Sequence, residues 1–397
     1  MSHDHHSSAP SAEDIGVTAP AGFRAAGVAA GIKDSGAPDV ALVVNDGPDA
    51  TAAGVFTRNR VKAAPVLWSE RVLTAGIVKA VILNSGNANA CTGSAGFQDT
   101  HGTAEYVAGR LGIGSADVAV CSTGLIGERL PMPALLSGID SVVRRLSKVG
   151  GPEAAEAIRT TDTRAKQTRV DGEGVVVGGM AKGAGMLAPA LATMLCVLTT
   201  DAVADTDMLD TAVREATRMT FERIDSDGCL STNDTVLLLS SGASGVSVSQ
   251  QELTDLVTAA CADLAGQLLA DAEGATKEVS IEVVDAADED DAVEVGRAIA
   301  RNNLVKCALF GNDPNWGRIL AAIGTTDAQF APGELDVAVN GVWVCRNGGA
   351  AADRSTVDLS GRQITITVRL AAGTAAATVW TNDLSHGYVH ENSAYST

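Results

Sequence analysis

Short runs of apolar and β-branched residues recur along the whole chain, and they predict β-strands. In the first half the runs cover 39–46, 52–57, 79–84, 116–122 and 174–179. In the second half they cover 193–199, 235–240, 279–285, 335–340, 363–370 and 376–381.

Two segments between these runs show the helical period instead. Their apolar faces consist of Leu209, Val213, Ala216 and Met219 within 206–223, and of Leu253, Val257, Leu264 and Leu268 within 251–272. Strands and helices are mixed without a strict strand–helix–strand rhythm. This order indicates an α/β or α+β fold in layers rather than a doubly wound sheet.

Composition narrows the class of protein. The 397 residues are 46% hydrophobic, which is enough for one large domain or two closely packed ones. Only 3% are aromatic, so Ala, Val, Leu and Ile must fill the core. The formal net charge of −19 repels phosphate backbones and argues against a nucleic-acid partner. Seven cysteines without a C-x-x-C pair fit reduced cytosolic thiols better than a disulfide framework or a zinc site.

The start of the chain is polar and contains no hydrophobic signal region, so residues 1–14 are predicted to form a disordered tail. Its His3, His5 and His6 could bind a metal ion in isolation, but a polar tail is the simpler interpretation. The apolar run at 186–198 is far shorter than the ~20 residues that a membrane span needs. We therefore expect a soluble, cytoplasmic protein with no membrane contact.

The segment at 182–195, KGAGMLAPALATML, places a threonine in an apolar run after a glycine-rich turn. The Thr193 hydroxyl could attack the carbonyl of Ala192 and form an ester, which water would then cut. The new α-amine of Thr193 would have a pKa of about 7.7–8.0 and could act as base for its own hydroxyl. From the local sequence alone, a core threonine bonded to the backbone is the commoner alternative.

The same segment resembles the signature of the ornithine acetyltransferase family, also called bifunctional glutamate N-acetyltransferases. Further motifs of that family occur in its order along almost the whole chain. They are GVTAPAGFRAAG at 16–27, GVFTRNRVKAAPV at 54–66, ILNSGNANACTG at 82–93, CSTGLIGERLP at 121–131, STNDTVLLLSSG at 231–242, DAEGATK at 271–277, FGNDPNWGR at 310–318 and ENSAYST at 391–397. Because so many long motifs occur in the same order as in the family, the resemblance is specific.

The resemblance implies two sheets between layers of helices, in a self-cleaved fold whose nucleophile is an N-terminal threonine. Cleavage between Ala192 and Thr193 would give an α-chain, 15–192, and a β-chain, 193–397. These fragments would stay associated, as a heterotetramer or a larger assembly.

The resemblance also assigns site residues. Thr193 would be the nucleophile, Thr123 and Gly124 the oxyanion hole, and Glu273 a further catalytic residue. The substrate-binding residues would be Thr160, Lys182, Thr193, Glu273, Asn392 and Thr397.

From the residues alone, other interpretations stay open for these positions. Thr123-Gly124 could be a strand-to-helix turn, and Lys182 a solvated loop lysine. Glu273 could be a solvated residue at the end of the helix 251–272, and the C-terminal tail could be frayed.

The glycine-rich run at 171–179 resembles a dinucleotide-binding fingerprint, but no predicted strand precedes it, so a hairpin turn is favoured. The sequence has no P-loop, G-x-S-x-G or H-E-x-x-H motif. FGNDPNWGR and STNDT suggest only loops with Asn or Asp capping.

The resemblance implies an acyltransferase of arginine biosynthesis that moves the acetyl group of N-acetylornithine to glutamate through an acetyl-threonine intermediate. It implies no metal and no organic cofactor, and it leaves acetyl-CoA open as a second donor. An amidohydrolase or aminopeptidase on a similar self-cleaved scaffold is the catalytic alternative. A non-catalytic binding paralogue would be expected to lack Thr193, Lys182 or Glu273, and all three are present.

Overall fold

Most strands form where the sequence has apolar runs, and the strands assemble into three sheets. The computed structural model describes residues 15–186 and 194–394, so the tail predicted over 1–14 lies outside the described part. Within the described part there are fifteen strands and ten α-helices. All residues of central strands such as Val40–Asn45 are buried, because both faces of the sheet are covered.

The first two sheets contain nine strands. The first sheet consists, in spatial order, of β1 (Phe23–Val28), β2 (Val40–Asn45), β4 (Ala80–Asn87) and β5 (Val118–Leu125). The second consists of β3 (Ala52–Phe56), β9 (Thr235–Ser240), β8 (Leu195–Thr200), β7 (Val176–Lys182) and β6 (Lys166–Asp171). β4 and β5 are parallel, as are β8 and β9, and the other neighbours are antiparallel.

The helices of the described residues are α1 (Ala64–Leu73), α2 (Gly93–Leu111), α3 (Met132–Arg145), α4 (Gly151–Ala157), α5 (Thr206–Met219), α6 (Gln250–Ala270), α7 (Glu289–Ala300), α8 (Asn303–Phe310), α9 (Trp316–Ile323) and α10 (His386–Ala394).

Helices and sheets stack in four layers. α2 and α3 cover the outer face of the first sheet, where Val107 packs in one core with Leu42. The inner face of that sheet packs on the second sheet, where Leu83 and Leu237 share a core. α5 and α6 cover the outer face of the second sheet, with Leu264 in their core. This arrangement confirms the predicted α/β class with layered sheets between helices.

A third sheet lies beside these layers and was not predicted as a separate unit. Its strands, in spatial order, are β13 (Gly349–Ala350), β12 (Val342–Arg346), β11 (Asp336–Val339), β14 (Gln363–Arg369), β10 (Glu278–Ala286) and β15 (Ala375–Asn382). α7 and α9 pack on it, with Val295 and Ile323 in a core around Ile281. Trp380 of β15 packs against the core of the second sheet and so joins the two units.

Every predicted strand is present, although the one predicted at 193–199 begins at Leu195, and Thr193 lies outside the described residues. The predicted helix 206–223 ends at Met219, because Thr220 leaves the helical conformation with φ −126° and ψ −86°. Met219 is 40% exposed, so its predicted place on the buried face is wrong.

α6 corresponds to the helix predicted at 251–272 but ends at Ala270. It is the one helix of the described residues long and apolar enough to cross a membrane, and its buried face belongs to the core beneath the second sheet.

The glycine-rich run at 171–179 connects β6 and β7 as an antiparallel hairpin, in which the Gly172 N–H donates to the Val175 carbonyl at 2.8 Å. The hairpin prediction is therefore confirmed. The premise that no strand precedes the run is wrong, because β6 does.

Candidate active site

One pocket, of about 80 Å³, lies where the two packed sheets end. β5 and β7 end at this edge, and the turn after α6 closes it. Its lining includes every predicted site residue that the structure describes, which are Thr123, Gly124, Thr160, Lys182, Glu273 and Asn392. The predicted Ala192, Thr193 and Thr397 lie outside the described residues.

Thr123 and Gly124 lie at the end of β5 and are part of the strand, so the interpretation as a strand-to-helix turn is wrong. Gly124 pairs with Gly86 of β4 and has a φ of 129°. A Cβ at Gly124 would lie 2.3 Å from the carbonyl carbon of Gly86, so only glycine fits this backbone. The buried Thr123 hydroxyl lies 3.5 Å from the Nζ of Lys182 and accepts a hydrogen bond from it.

Lys182 ends β7 and is only 2% exposed, which excludes a solvated loop lysine. Burial lowers the pKa of Lys182, and the carboxylate of Asp162, 4.0 Å from its Nζ, opposes that shift. A buried ammonium that lines a pocket is suited to bind a substrate carboxylate.

Beneath Lys182 lies a buried ionic cluster that sequence analysis missed. Asp162 Oδ1 accepts hydrogen bonds from Lys166 Nζ at 2.6 Å and from the Gly183 N–H at 2.7 Å. Lys166 Nζ also donates to Asp271 Oδ2 at 2.6 Å. Burial alone would raise the pKa of Asp162, but the two ammonium groups outweigh it and hold the pKa below its usual range. Asp162 therefore stays charged and holds the turn that follows Lys182.

Glu273 lies beyond the end of α6 and is held by three other segments. Its Oε1 accepts a hydrogen bond from the Thr161 hydroxyl at 2.6 Å, and its Oε2 accepts one from Asn392 Nδ2 at 3.0 Å. Its N–H donates to the Ala184 carbonyl at 3.0 Å. The interpretation as a solvated glutamate at a helix end is therefore wrong, because the helix stops at Ala270 and the carboxylate is bound.

Thr160 and Asn392 line the pocket from two segments far apart in the sequence. Thr160 follows α4, and its N–H donates to Asp162 Oδ2 at 3.0 Å. Asn392 lies on α10, which was not predicted. α10 approaches the turn after α6 so closely that a Cβ on Gly274 would lie 2.1 Å from the Tyr388 nitrogen. As far as Ala394, the tail is therefore a docked helix rather than a frayed end.

The STNDT segment, which had no assigned function, lines the pocket with Ser231, Thr232 and Asn233. Asn233 Nδ2 donates to the Ala88 carbonyl at 2.7 Å and to the Ser122 carbonyl at 2.8 Å. It therefore ties the end of β5, and with it Thr123, to the second sheet. Only the motif itself could have pointed to this residue, because an isolated asparagine before a strand is typical of ordinary turns.

FGNDPNWGR lies outside the pocket and connects α8 to α9, where Asn315 caps α9. This placement agrees with the predicted capping. Within the described residues, no group of three or more His, Cys, Asp or Glu side chains is placed to hold a metal ion.

The profile of the ArgJ family matches residues 24–397. The chain belongs to the ArgJ family. This match confirms the family predicted from the motifs.

Curated ArgJ relatives agree over nearly the whole chain. The chain is 64% identical over 383 residues to the "Arginine biosynthesis bifunctional protein ArgJ" of Streptomyces coelicolor, covering 96% of this chain and 100% of the relative. It is 60% identical over 390 residues to the protein of that name from Mycobacterium leprae, covering 96% of each. Among solved structures, an ornithine acetyltransferase complexed with ornithine from Mycobacterium tuberculosis is 63% identical, with a TM-score of 0.42, over 44% of this chain and 95% of that one.

The pocket of this ArgJ-family chain combines three kinds of group that acyl transfer to an amino acid requires. They are a hydroxyl and a backbone N–H at Thr123 and Gly124, the ammonium of Lys182 and the carboxylate of Glu273. Met194, the first described residue after Thr193, directly precedes β8.

Proposed function

We propose that this chain is a glutamate N-acetyltransferase of arginine biosynthesis, which moves the acetyl group of N-acetyl-L-ornithine to L-glutamate. The observation that carries the proposal is the convergence of Thr123, Gly124, Lys182 and Glu273 on one pocket. The alignment with the ArgJ protein of Streptomyces coelicolor, which covers 96% of this chain and 100% of the relative, also supports the proposal.

The first step is self-cleavage. The Thr193 Oγ attacks the Ala192 carbonyl carbon, the bond from that carbon to the Thr193 nitrogen breaks, and water hydrolyses the resulting ester. The position of the proposed cleavage supports this step, since residues 183–194 connect β7 to its antiparallel neighbour β8. Fragments 15–192 and 193–397 would therefore remain hydrogen-bonded within the second sheet.

In the transfer reaction, the Thr193 Oγ attacks the acetyl carbonyl carbon while the α-amine of Thr193 takes the hydroxyl proton. The negative oxygen of the tetrahedral intermediate accepts hydrogen bonds from the Thr123 hydroxyl and the Gly124 N–H. The bond to the ornithine α-nitrogen then breaks, and that nitrogen takes the proton from the Thr193 amine. Acetyl-threonine remains, and the glutamate α-amine repeats the sequence in reverse.

The remaining residues hold the substrates. The Lys182 ammonium pairs with the α-carboxylate that both amino acids share, and Thr160 lies beside it in the pocket. The Glu273 carboxylate accepts hydrogen bonds from the leaving or attacking amine. The terminal carboxylate of Thr397 pairs with a substrate ammonium, and the docking of α10 beside Glu273 supports this role for the tail.

A cytoplasmic location and a heterotetramer of two copies of each fragment complete the proposal. The seven cysteines, all within the described residues, are unpaired, as a reducing compartment favours. Light scattering coupled to size exclusion tests the assembly, and an assay with acetyl-CoA and glutamate tests the second donor.

The decisive assay follows N-acetylornithine and free acetate with and without glutamate. The proposal predicts that N-acetylornithine turns over only when glutamate is present and that N-acetylglutamate forms in equal amount. Steady release of acetate without glutamate would contradict it and would indicate the amidohydrolase alternative instead.

A further inference from the structure

A second cavity, of about 160 Å³, lies beside the pocket. Glu273 lines both, so the two cavities are neighbours. We call the second one the side cavity; its charged lining residues are Asp227, Glu273, Arg301, Lys306 and Asp383. A cavity needs only about 10–15 Å³ to hold one water molecule, so the side cavity has room for a short amino-acid side chain.

Lys306 of α8 brings a buried cation to the side cavity. It lines the cavity and is only 4% exposed. Its ammonium donates hydrogen bonds to Thr381 Oγ1 at 2.9 Å and to the Asn382 carbonyl. An ammonium carries three N–H donors, so one of them has no acceptor within residues 15–186 and 194–394. Burial lowers the pKa of this ammonium to about 8, so most of it is protonated at neutral pH and suited to bind an anion.

Arg301 and Asp227 add charges of both signs. Arg301 Nε donates to Asp225 Oδ2 at 2.6 Å, and the two terminal nitrogens of the guanidinium have no acceptor in the described part of the chain. Asp227 Oδ1 accepts a hydrogen bond from the Cys229 N–H at 3.0 Å, and a carboxylate can accept several at once. The Asp383 carboxylate already accepts hydrogen bonds from two backbone N–H groups and a threonine hydroxyl. The side cavity therefore offers a ligand both cationic donors and an anionic acceptor.

The proposed reaction needs a subsite of mixed charge. Ornithine and glutamate share the α-carboxylate and the α-nitrogen, but the ornithine side chain ends in an ammonium and the glutamate side chain in a carboxylate. Both amino acids occupy the same place in turn when one threonine carries the acetyl group. A charged group is buried at low cost only where it is paired, so a subsite with one sign of charge would reject one of the two substrates.

We propose that the side cavity binds the side-chain ends of both amino acids in turn, with Lys306 and Arg301 donating to the glutamate carboxylate and Asp227 accepting from the ornithine ammonium. The inference rests on the proposed function, because it names where the distal group of each proposed substrate lies. Glu273 lies between the two cavities, so a substrate whose α-nitrogen is beside Glu273 can extend its side chain into the side cavity. Lys306, Arg301 and Asp227 are specificity-determining residues, since they contact the side chain and not the reacting acetyl group.

Two substitutions test the two charges separately. Lys306→Met keeps an unbranched side chain and removes the ammonium. Asp227→Asn keeps an oxygen for the Cys229 N–H and removes the negative charge. Initial rates at varied N-acetylornithine and glutamate give kcat/KM for each substrate, and in a double-displacement reaction each value reports only its own half-reaction.

We expect Lys306→Met to lower kcat/KM for glutamate about tenfold or more, the contribution of a hydrogen bond to a charged group, and to leave the value for N-acetylornithine near wild type. Asp227→Asn should do the reverse. Asp358→Asn is the matched control for Asp227→Asn and should equal wild type for both substrates. Asp358 Oδ1 accepts from the Ser360 N–H in the same kind of turn, at 2.8 Å, but lines neither cavity.

Equal losses for both substrates would indicate a structural role and would overturn the inference, as would wild-type values in both variants. Circular dichroism checks the fold of each variant. If either one does not fold, Arg301→Gln decides, because the Arg301 side chain is 51% exposed and glutamine keeps a donor for Asp225. A loss confined to glutamate in that variant supports the inference, and any other result overturns it. Failure of the wild-type enzyme to transfer acetyl from N-acetylornithine to glutamate would instead refute the proposed function, so the two failures are distinct.

Discussion

At the scale of the residue, the burial of Lys182 links substrate binding to pH. Only its ammonium form can pair with a carboxylate, and burial lowers the pKa at which that form is lost. The Thr193 amine must be neutral to act as base, and its ordinary pKa is about 7.7–8.0. We therefore expect a bell-shaped pH profile of kcat/KM for N-acetylornithine. The midpoint of its alkaline limb should lie below pH 10.5, the ordinary pKa of a lysine.

Lys182→Arg separates this titration from that of the substrate, because a guanidinium keeps its proton throughout the range. The alkaline limb should move upward in this variant. An unchanged alkaline limb would mean that another group titrates there.

The hydroxyl of Thr123 is expected to act on the transition state rather than on the bound substrate. Thr123→Val keeps the side-chain shape and removes one oxyanion donor, so kcat should fall about 10²–10³-fold with little change in KM. Thr168→Val is the matched control. The Thr168 hydroxyl is buried in β6 and has no partner among the described residues, so its loss should leave kcat unchanged. Equal effects in both variants would contradict the role of Thr123.

Motifs could identify Lys182 and Glu273 from the sequence, but not the residues that hold them. Asp162 and Lys166 are four positions apart, a spacing that is equally typical of a solvated pair, and only the packed structure makes both side chains fully buried. Asp234 likewise follows a turn motif, and its contact with Met194 depends on the pairing of β8 with β9. Such tertiary contacts have no local periodicity that a sequence could reveal.

At the scale of the element, the buried cluster of Asp162, Lys166 and Asp271 joins the loop after α4, strand β6 and the turn after α6. Asp162→Asn leaves Lys166 with one anionic partner instead of two and should destabilise the fold by about 3–5 kcal/mol. Urea unfolding of the Thr193→Ala precursor measures this change without fragment dissociation.

Asp210→Asn breaks an exposed pair with Arg214 and should cost less than about 1 kcal/mol. If both substitutions change the unfolding free energy equally, the buried Asp162 cluster does not stabilise the fold more than an exposed ion pair does.

α10 buries none of its residues, so it contributes little to the core. Removing residues 392–397 should leave folding and cleavage intact but raise KM for both amino acids roughly tenfold or more, because a charged hydrogen bond is worth about 1.5–3 kcal/mol. Full-length Asn392→Ala shows how much of the effect belongs to the contact with Glu273, and Ser393→Ala on the same helix should match wild type. Unchanged KM after truncation would show that the tail is not functional.

Elements differed in how well the sequence predicted them. Strands with an unbroken apolar centre, such as β2 and β9, were found because burial on both faces favours apolar residues at consecutive positions. β6, KQTRVD, was missed because it is a polar edge strand. α2 was missed because it contains four glycines, which lower helix propensity, and tertiary packing overrides that cost.

At the scale of the whole molecule, the two proposed fragments share one sheet. β3 and β7 belong to 15–192, β8 and β9 belong to 193–397, and β3 pairs with β9 as β7 pairs with β8. Hydrogen-bond ladders and the common core would therefore hold the proposed fragments together without a covalent link. The layered arrangement followed from the family resemblance, because hydrophobic periodicity specifies elements but not their stacking.

Intact mass spectrometry of enzyme incubated with N-acetylornithine, before and after glutamate is added, tests the central claim most directly. The account predicts two fragments that copurify, with the 193–397 fragment heavier by one acetyl group until glutamate removes it. Active protein present only as the full-length chain would contradict the account. So would turnover in which acid quenching never traps an acetylated fragment, because Thr193 could then not carry the acetyl group.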